Sequence, residues 1–128
     1  MKAATKALNL GLVALVCFFF GTGFAHADNL FVANADVNTI EEFNSSGVGT
    51  AFVSSGLMNP TGLAFDSAGN LCVATGNAIK KFNSSGVGTV WGNSGSVLFD
   101  PNGLAFDNDG NLYVANDGNN KRNTTGNL

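Results

Sequence analysis

The chain has 128 residues, of which 12% are charged, with nine acidic against six basic side chains and a formal net charge of −3. This balance argues against nucleic acid and anionic lipid as partners, because both require a basic face. A chain of this length is enough for one small domain.

The first 27 residues have the order of a secretory signal peptide. Lys2 and Lys6 precede an apolar run from Leu10 to Phe20, and Ala25-His26-Ala27 then supplies the small residues that a signal peptidase reads. We therefore predict cleavage after position 27 and export to the periplasm or the extracellular medium. A retained membrane anchor is the weaker alternative, because the apolar core of about 11 residues is shorter than the ~20 that a spanning helix needs.

Cleavage would change the chemistry that the chain offers. It would remove Cys17 and His26 and leave 101 residues with four basic and nine acidic side chains, no histidine and one cysteine, Cys72. Such a mature chain forms no intrachain disulfide, so its fold depends on packing and strand pairing. It also has no membrane segment.

A repeat of 41 residues organises the remainder of the chain. The related segments NLFVA, NLCVA and NLYVA begin at Asn29, Asn70 and Asn111. PTGLAFDSAGN, which begins at Pro60, returns as PNGLAFDNDGN at Pro101, and FNSSGVGT occurs twice without change. A fixed period of this length indicates a repeat architecture whose length changes fall in loops.

Each period predicts four short antiparallel strands. In the central copy they cover residues 62–65, 71–74, 78–82 and 88–91, and turns rich in glycine, asparagine and serine separate them. Parallel pairing would need crossovers of a dozen or more residues, which these turns do not provide. Between residues 29 and 116 the pattern predicts nine strands, and no stretch shows a capped helical period.

Both faces of the second strand are apolar in every copy. In the central copy Leu71 and Val73 point to one face, and Cys72 and Ala74 to the other. Both faces must therefore be covered, as they are where blades stack around an axis. The sequence predicts an all-β fold of antiparallel four-stranded blades of a β-propeller, with about two and a quarter blades over residues 28–116.

The repeated segments resemble the NHL repeat of bacterial secreted proteins. The resemblance lies in GLAFDNDGNLYVAN and in FNSSGVGT, and it covers nearly all of residues 29–116. It implies a β-propeller that serves as an interaction platform. Gluconolactonases and streptogramin lyases are similar propellers, and their chemistry depends on metal-binding carboxylates or a catalytic histidine at the central channel.

The predicted blades do not close a ring. Residues 117–128 form a polar tail, and its segment NNKRN has no apolar side chain where earlier copies read TIEEF and AIKKF. Closed propellers need at least about four blades. Three interpretations stay open: an incomplete piece of a longer propeller, a chain that assembles with others into a ring, and an open stack capped by its tail. An open stack exposes an apolar face at each end, which favours self-association.

Two single features have a chemical and a structural interpretation. Asp107-Asn108-Asp109-Gly110-Asn111 resembles the beginning of a calcium loop, but an EF-hand requires glycine at the sixth position and glutamate at the twelfth. A hairpin turn is favoured. Cys72 stands where the other copies have phenylalanine and tyrosine, so a buried packing thiol is favoured over a nucleophile.

Charges and aromatic residues give further hypotheses. Glu41-Glu42 of the first blade become Lys80-Lys81 in the second, so opposite charges on neighbouring blades are expected either to pair or to stay solvated. Three aromatic residues are expected in the core, with a ligand surface as the alternative. They are Trp91, Phe99 and Tyr113.

Three segments match the glycosylation sequon. They begin at Asn44, Asn83 and Asn123. The first two belong to the repeated NSSG turn, so we interpret them as residues chosen for turn geometry.

Two functional hypotheses follow. The first is a secreted binding or scaffolding module for a protein or a glycan, and the second is a lactonase or lyase whose catalytic blades are missing or come from another chain. Because the recurring acids Asp66 and Asp107 fall at blade turns and no histidine survives export, the sequence favours the binding module. It assigns no catalytic residue, metal ligand or cofactor.

Overall fold

The computed structural model describes residues 16–18, 29–92, 98–117 and 126–127, the first and last of these as backbone only. These residues form eleven β-strands and no helix. The strands are β1 (Val16–Phe18), β2 (Leu30–Asn34), β3 (Thr39–Phe43), β4 (Gly49–Val53), β5 (Pro60–Phe65), β6 (Leu71–Thr75), β7 (Ala78–Phe82), β8 (Gly88–Gly92), β9 (Pro101–Phe106), β10 (Leu112–Asn116) and β11 (Gly126–Asn127). In this described part of the chain, no helix is long and apolar enough to cross a membrane.

The strands form three antiparallel sheets in chain order. The first sheet has the order β1-β2-β3-β4, the second β5-β6-β7-β8, and the third β11-β10-β9. The register repeats with the sequence, since Leu30 pairs with Phe43 in the first sheet and Leu71 with Phe82 in the second. The nine strands predicted between residues 29 and 116 are all present, which confirms the all-β, four-stranded organisation of the repeat.

The second sheet is covered on both faces. All five residues of β6 are buried. Leu71 and Val73 belong to a core cluster shared with Phe31 of the first sheet, and Cys72 belongs to a second cluster shared with Leu112 of the third sheet. The two apolar faces predicted from alternation along this strand therefore each pack on a neighbouring sheet.

Each outer sheet packs on another described sheet through one face only. Along β10, Leu112 and Val114 are 0% and 2% exposed, whereas the alternating Tyr113 is 45% exposed. In β2 the alternation is weaker, since Phe31 is buried while Leu30 and Val32 are half-buried. The described residues thus form a stack whose two end faces pack on no other described sheet, and the end face of the third sheet is the more exposed of the two.

Two strands lie outside the predicted set. In β1, Val16 pairs with Val32 at the inner edge of the first sheet, inside the segment predicted as a signal peptide. In β11, Gly126 pairs with Val114 inside the segment predicted as a polar tail. Residues 1–15, 19–28, 118–125 and 128 lie outside the described residues. The cleavage after residue 27 and the boundaries of the tail stay predictions.

The repeated NSSG turns are built by an asparagine side chain. The Asn44 Oδ1 atom accepts bonds from the backbone N–H groups of Ser46 and Val48, both at 3.0 Å. Asn83 makes the equivalent pair of bonds, also at 3.0 Å. This confirms that the first two sequons are turn residues, whereas Asn123 lies outside the described residues.

Candidate functional site

The acidic segment that begins at Asp107 forms a hairpin turn. The Asp107 Oδ1 atom accepts the backbone N–H groups of Asp109 at 3.0 Å and Asn111 at 2.8 Å. Its Oδ2 atom accepts the Asn111 amide at 2.9 Å and the Tyr113 hydroxyl at 3.2 Å. These bonds, those of Asn111 above all, lower the pKa of Asp107 and favour its charged form. The carboxylate therefore works as a turn cap, as the hairpin interpretation requires.

Asp66 makes the same turn in the second sheet and adds an ion pair. Its Oδ1 atom accepts the backbone N–H groups of Ala68 and Asn70, and its Oδ2 atom lies 2.8 Å from Lys81 Nζ. Burial acts to raise the pKa of Asp66, but the bonds from Lys81 and Asn70 outweigh it and hold the pKa below its usual range. Within the described residues, no three acidic, histidine or cysteine side chains gather as a metal site would require.

Of the two alternatives left open for the glutamates and lysines, pairing across neighbouring blades does not occur among the described residues. Lys81 pairs with Asp66 of its own sheet, which is the one ion pair among residues 29–92 and 98–117. The Glu42 carboxylate accepts a 2.6 Å bond from the Asn29 amide, again within one sheet. Partners in the same sheet thus take up both charges. The Lys80 ammonium donates to the carbonyl of Gly56, in the loop between β4 and β5.

Cys72 is a packing residue, as predicted. It is fully buried between the second and third sheets. Burial raises the pKa of its thiol to about 11, although the charge of Lys81 acts in the opposite direction. A neutral buried thiol is a poor nucleophile.

The expectation that three aromatic residues lie in the core is wrong. Trp91, Phe99 and Tyr113 are 42%, 47% and 45% exposed. The Lys81 Nζ atom lies 4.7 Å from the centroid of the Trp91 ring. The ring centroids of Trp91 and Phe106 are 6.4 Å apart. Over the described residues, the third sheet has only the two-residue β11 beyond its second strand, so it leaves the outer half of the second sheet uncovered.

A groove runs between the outer strands of the first two sheets, and we refer to it as the rim groove. It has a volume of about 390 Å³ and lies between β4 on one side and β7 and β8 on the other. Phe52, which is half-buried, lines it together with the buried Phe82, and Ser54 and Ser55 contribute hydroxyl groups. Lys80 also lines it and is the only charged residue among the described ones that does so.

A glycine allows the walls of the rim groove to approach each other. Gly86, in the turn before β8, has φ +73°, and a Cβ atom built on it would lie 2.6 Å from the carbonyl oxygen of Phe52 on β4. Any side chain there would push the two sheets apart. Sequence reasoning missed this groove, because it arises from packing between repeats. The one residue of the groove that the sequence singled out is Lys80, for which an ion pair and a solvated charge were both left open.

Comparison with known proteins identifies the fold. No family model matches the chain, and no curated protein matches it, so the resemblance to NHL repeats stays a prediction. Among solved structures, it is similar to a streptogramin B lyase at 16% identity over 88% of this chain and 37% of the other, with a TM-score of 0.67.

Two further structures give the same result. A catalytically inactive virginiamycin B lyase from Staphylococcus aureus with quinupristin is 17% identical over 96% of this chain and 40% of the other, with a TM-score of 0.65. A gluconolactonase from Xanthomonas campestris is 18% identical over 69% and 31%, with a TM-score of 0.62. The chain thus spans 31 to 40% of the length of these proteins. At such identities the likeness is one of fold, and the chain has the fold of consecutive blades of a β-propeller.

Proposed function

We propose that the chain is an exported binding module that takes a glycan in the rim groove. The observation that carries this proposal is the composition of the groove, where the half-buried Phe52, several hydroxyl groups and one ammonium group line about 390 Å³. The lining is mostly polar, which suits a ligand rich in hydroxyl groups.

The chemistry of a sugar ring suits this lining. Its C–H faces pack on aromatic surface, as the half-buried Phe52 provides, and its hydroxyl groups exchange hydrogen bonds with serine hydroxyls such as Ser54 and Ser55. Lys80 has three N–H donors and directs one to the Gly56 carbonyl. The other donors favour a glycan that carries a carboxylate, because charge-assisted hydrogen bonds are the stronger ones.

The test is titration calorimetry with neutral and uronic-acid oligosaccharides. Lys80→Ala is expected to weaken binding of the acidic oligosaccharide at least about tenfold, because a hydrogen bond to a charged group contributes about 1.5–3 kcal/mol. Lys81→Ala is the matched control, since it removes the same charge from the opposite face of β7. No binding of any oligosaccharide, or equal losses in the two variants, would refute the proposal.

A lactonase or lyase activity is the second candidate, and the likeness of fold to the gluconolactonase and the two lyases favours it. Within residues 29–92 and 98–117 there is neither a histidine nor a cluster of three metal-ligating side chains. In this alternative, a partner chain or further blades supply the catalytic groups. Turnover of a panel of lactones and of a streptogramin, with calcium or zinc added, would replace the binding proposal with this one.

A further inference from the structure

The two end faces of the stack repeat the residues that pack together inside it. We call the outer face of the first sheet the trailing face, which carries Leu30, Val32 and Phe43. The outer face of the third sheet is the leading face, which carries Tyr113 and Ala115. Their sides follow from the register, in which Leu30 pairs with Phe43, and from the exposure of alternate residues along β10.

Each end face has an internal counterpart whose packing is known. The counterparts of the trailing face are Leu71, Val73 and Phe82, which are the same three residue types one repeat later, and they pack on Phe31 and Ala33 of the first sheet. In the leading face, Tyr113 and Ala115 occupy the positions that Phe31 and Ala33 occupy two repeats earlier. Inside the stack, the residues equivalent to the trailing face pack on the residues equivalent to the leading face. The two end faces are therefore complementary.

We propose that the leading face of one copy packs on the trailing face of a second copy, so that the contact between copies repeats the contact between the first and second sheets. A head-to-tail contact generates a ring where its rotation closes. Two copies with three sheets each give six sheets, which lies within the range of about four to eight blades that propellers have. The second copy is thus the occupant of both end faces.

Tyr113 is suited to burial in such a contact. Its counterpart Phe31 is 7% exposed and makes edge contacts with the rings of Phe52 and Phe65, both at 5.1 Å between centroids. A tyrosine in that place adds a hydroxyl that needs a partner when buried. Here the Tyr113 hydroxyl already donates to the Asp107 carboxylate of its own sheet. The ring can therefore be covered without leaving a buried polar group unpaired.

The test measures the mass of the purified chain in solution by light scattering over a range of concentrations. The expected result is a discrete species of two copies. Ala115→Lys alters the leading face alone and Val32→Lys the trailing face alone, and in the second variant the new lysine stands opposite Glu41 across the strands. Each variant is expected to be monomeric, with dissociation raised at least about 100-fold, because Ala115→Lys puts an unpaired charge in the contact and Val32→Lys puts a longer side chain where the counterpart Val73 is fully buried. Both should keep the β signal in circular dichroism.

Mixing distinguishes a head-to-tail contact from a face-to-face one. An equimolar mixture of the two variants retains one unaltered contact, between the leading face of Val32→Lys and the trailing face of Ala115→Lys, and is expected to recover a one-to-one complex. Val87→Lys, in an exposed turn, is the control and should leave the mass of the wild type unchanged. A monomeric wild type, an effect of only one of the two face variants, or a mixture without recovery would overturn the proposal.

Discussion

Substitution of Gly86 by alanine tests the packing between the first two sheets. The chain contains a matched control, because Gly47 occupies the same position of the preceding NSSG turn. The two backbones are nearly identical, with φ +73° at Gly86 and +77° at Gly47. They differ in their surroundings, since a Cβ atom on Gly47 has nothing within 4 Å while one on Gly86 would lie 2.6 Å from the Phe52 carbonyl oxygen.

The expected losses follow from these two environments. An alanine in the left-handed region costs about 1–2 kcal/mol, and both variants lose this amount. Gly86→Ala must in addition move the turn away from β4, and overpacking of this kind typically costs a further ~1–3 kcal/mol. We therefore expect Gly86→Ala to lower the free energy of unfolding by about 2–5 kcal/mol and Gly47→Ala by about 1–2 kcal/mol.

The assay is unfolding in urea, followed by circular dichroism and by the fluorescence of the single tryptophan, Trp91. A larger loss for Gly86→Ala than for Gly47→Ala, with similar m-values, would support contact between the sheets. Equal losses in the two variants would contradict the contact between the sheets, because they would show that β4 does not lie close to the turn that contains Gly86.

Three further predictions concern the turn, the thiol and the inner strands. Because the pKa of Asp66 is lowered in the folded state, this carboxylate contributes stability that is complete above its ordinary pKa of 3.8 and is lost as the pH falls below that value. Asp66→Asn should therefore reduce the loss of stability at acid pH in a series of unfolding midpoints. An unchanged loss at acid pH would contradict the role of the Lys81 pair. With the chain's other cysteine replaced by serine, Cys72 should react with a thiol reagent at pH 8 only as fast as the protein unfolds, and rapid labelling of the native state would show that it is not buried. Gly62→Ala should destabilise the stack by about 1–3 kcal/mol, because its Cβ atom would lie 2.9 Å from the carbonyl oxygen of Asn102 on the next inner strand; a neutral result in the same urea titration would argue against this close approach.

The repeat was predictable because its signals are local. Alternation along Leu71 to Ala74, with apolar residues on both faces, was enough to predict a strand packed on two neighbours, and β6 is buried along its whole length. The Asp66 and Asp107 turns followed in the same way, since short-range Asx bonds build them. All nine strands between residues 29 and 116 were predicted for these reasons.

The features that sequence reasoning missed depend on distant partners. Trp91 and Tyr113 have the residue type of a core, but their exposure is decided by how far the third sheet extends. Strand β11 has no apolar residue and pairs through its backbone, which composition does not indicate. Lys80 was singled out for its charge, whereas its place in the rim groove follows from how two repeats pack.

Hydrogen exchange measured by mass spectrometry tests the stacked arrangement most directly. The suitable sample is the Ala115→Lys variant, in which the end faces are kept apart. If the second sheet alone is covered on both faces, the amides of residues 71–75 should exchange more slowly than the equivalent amides of residues 30–34 and 112–116, because they open only with the whole stack. Equal protection of the three segments, or least protection in residues 71–75, would contradict a stack in which the second sheet alone is covered on both faces.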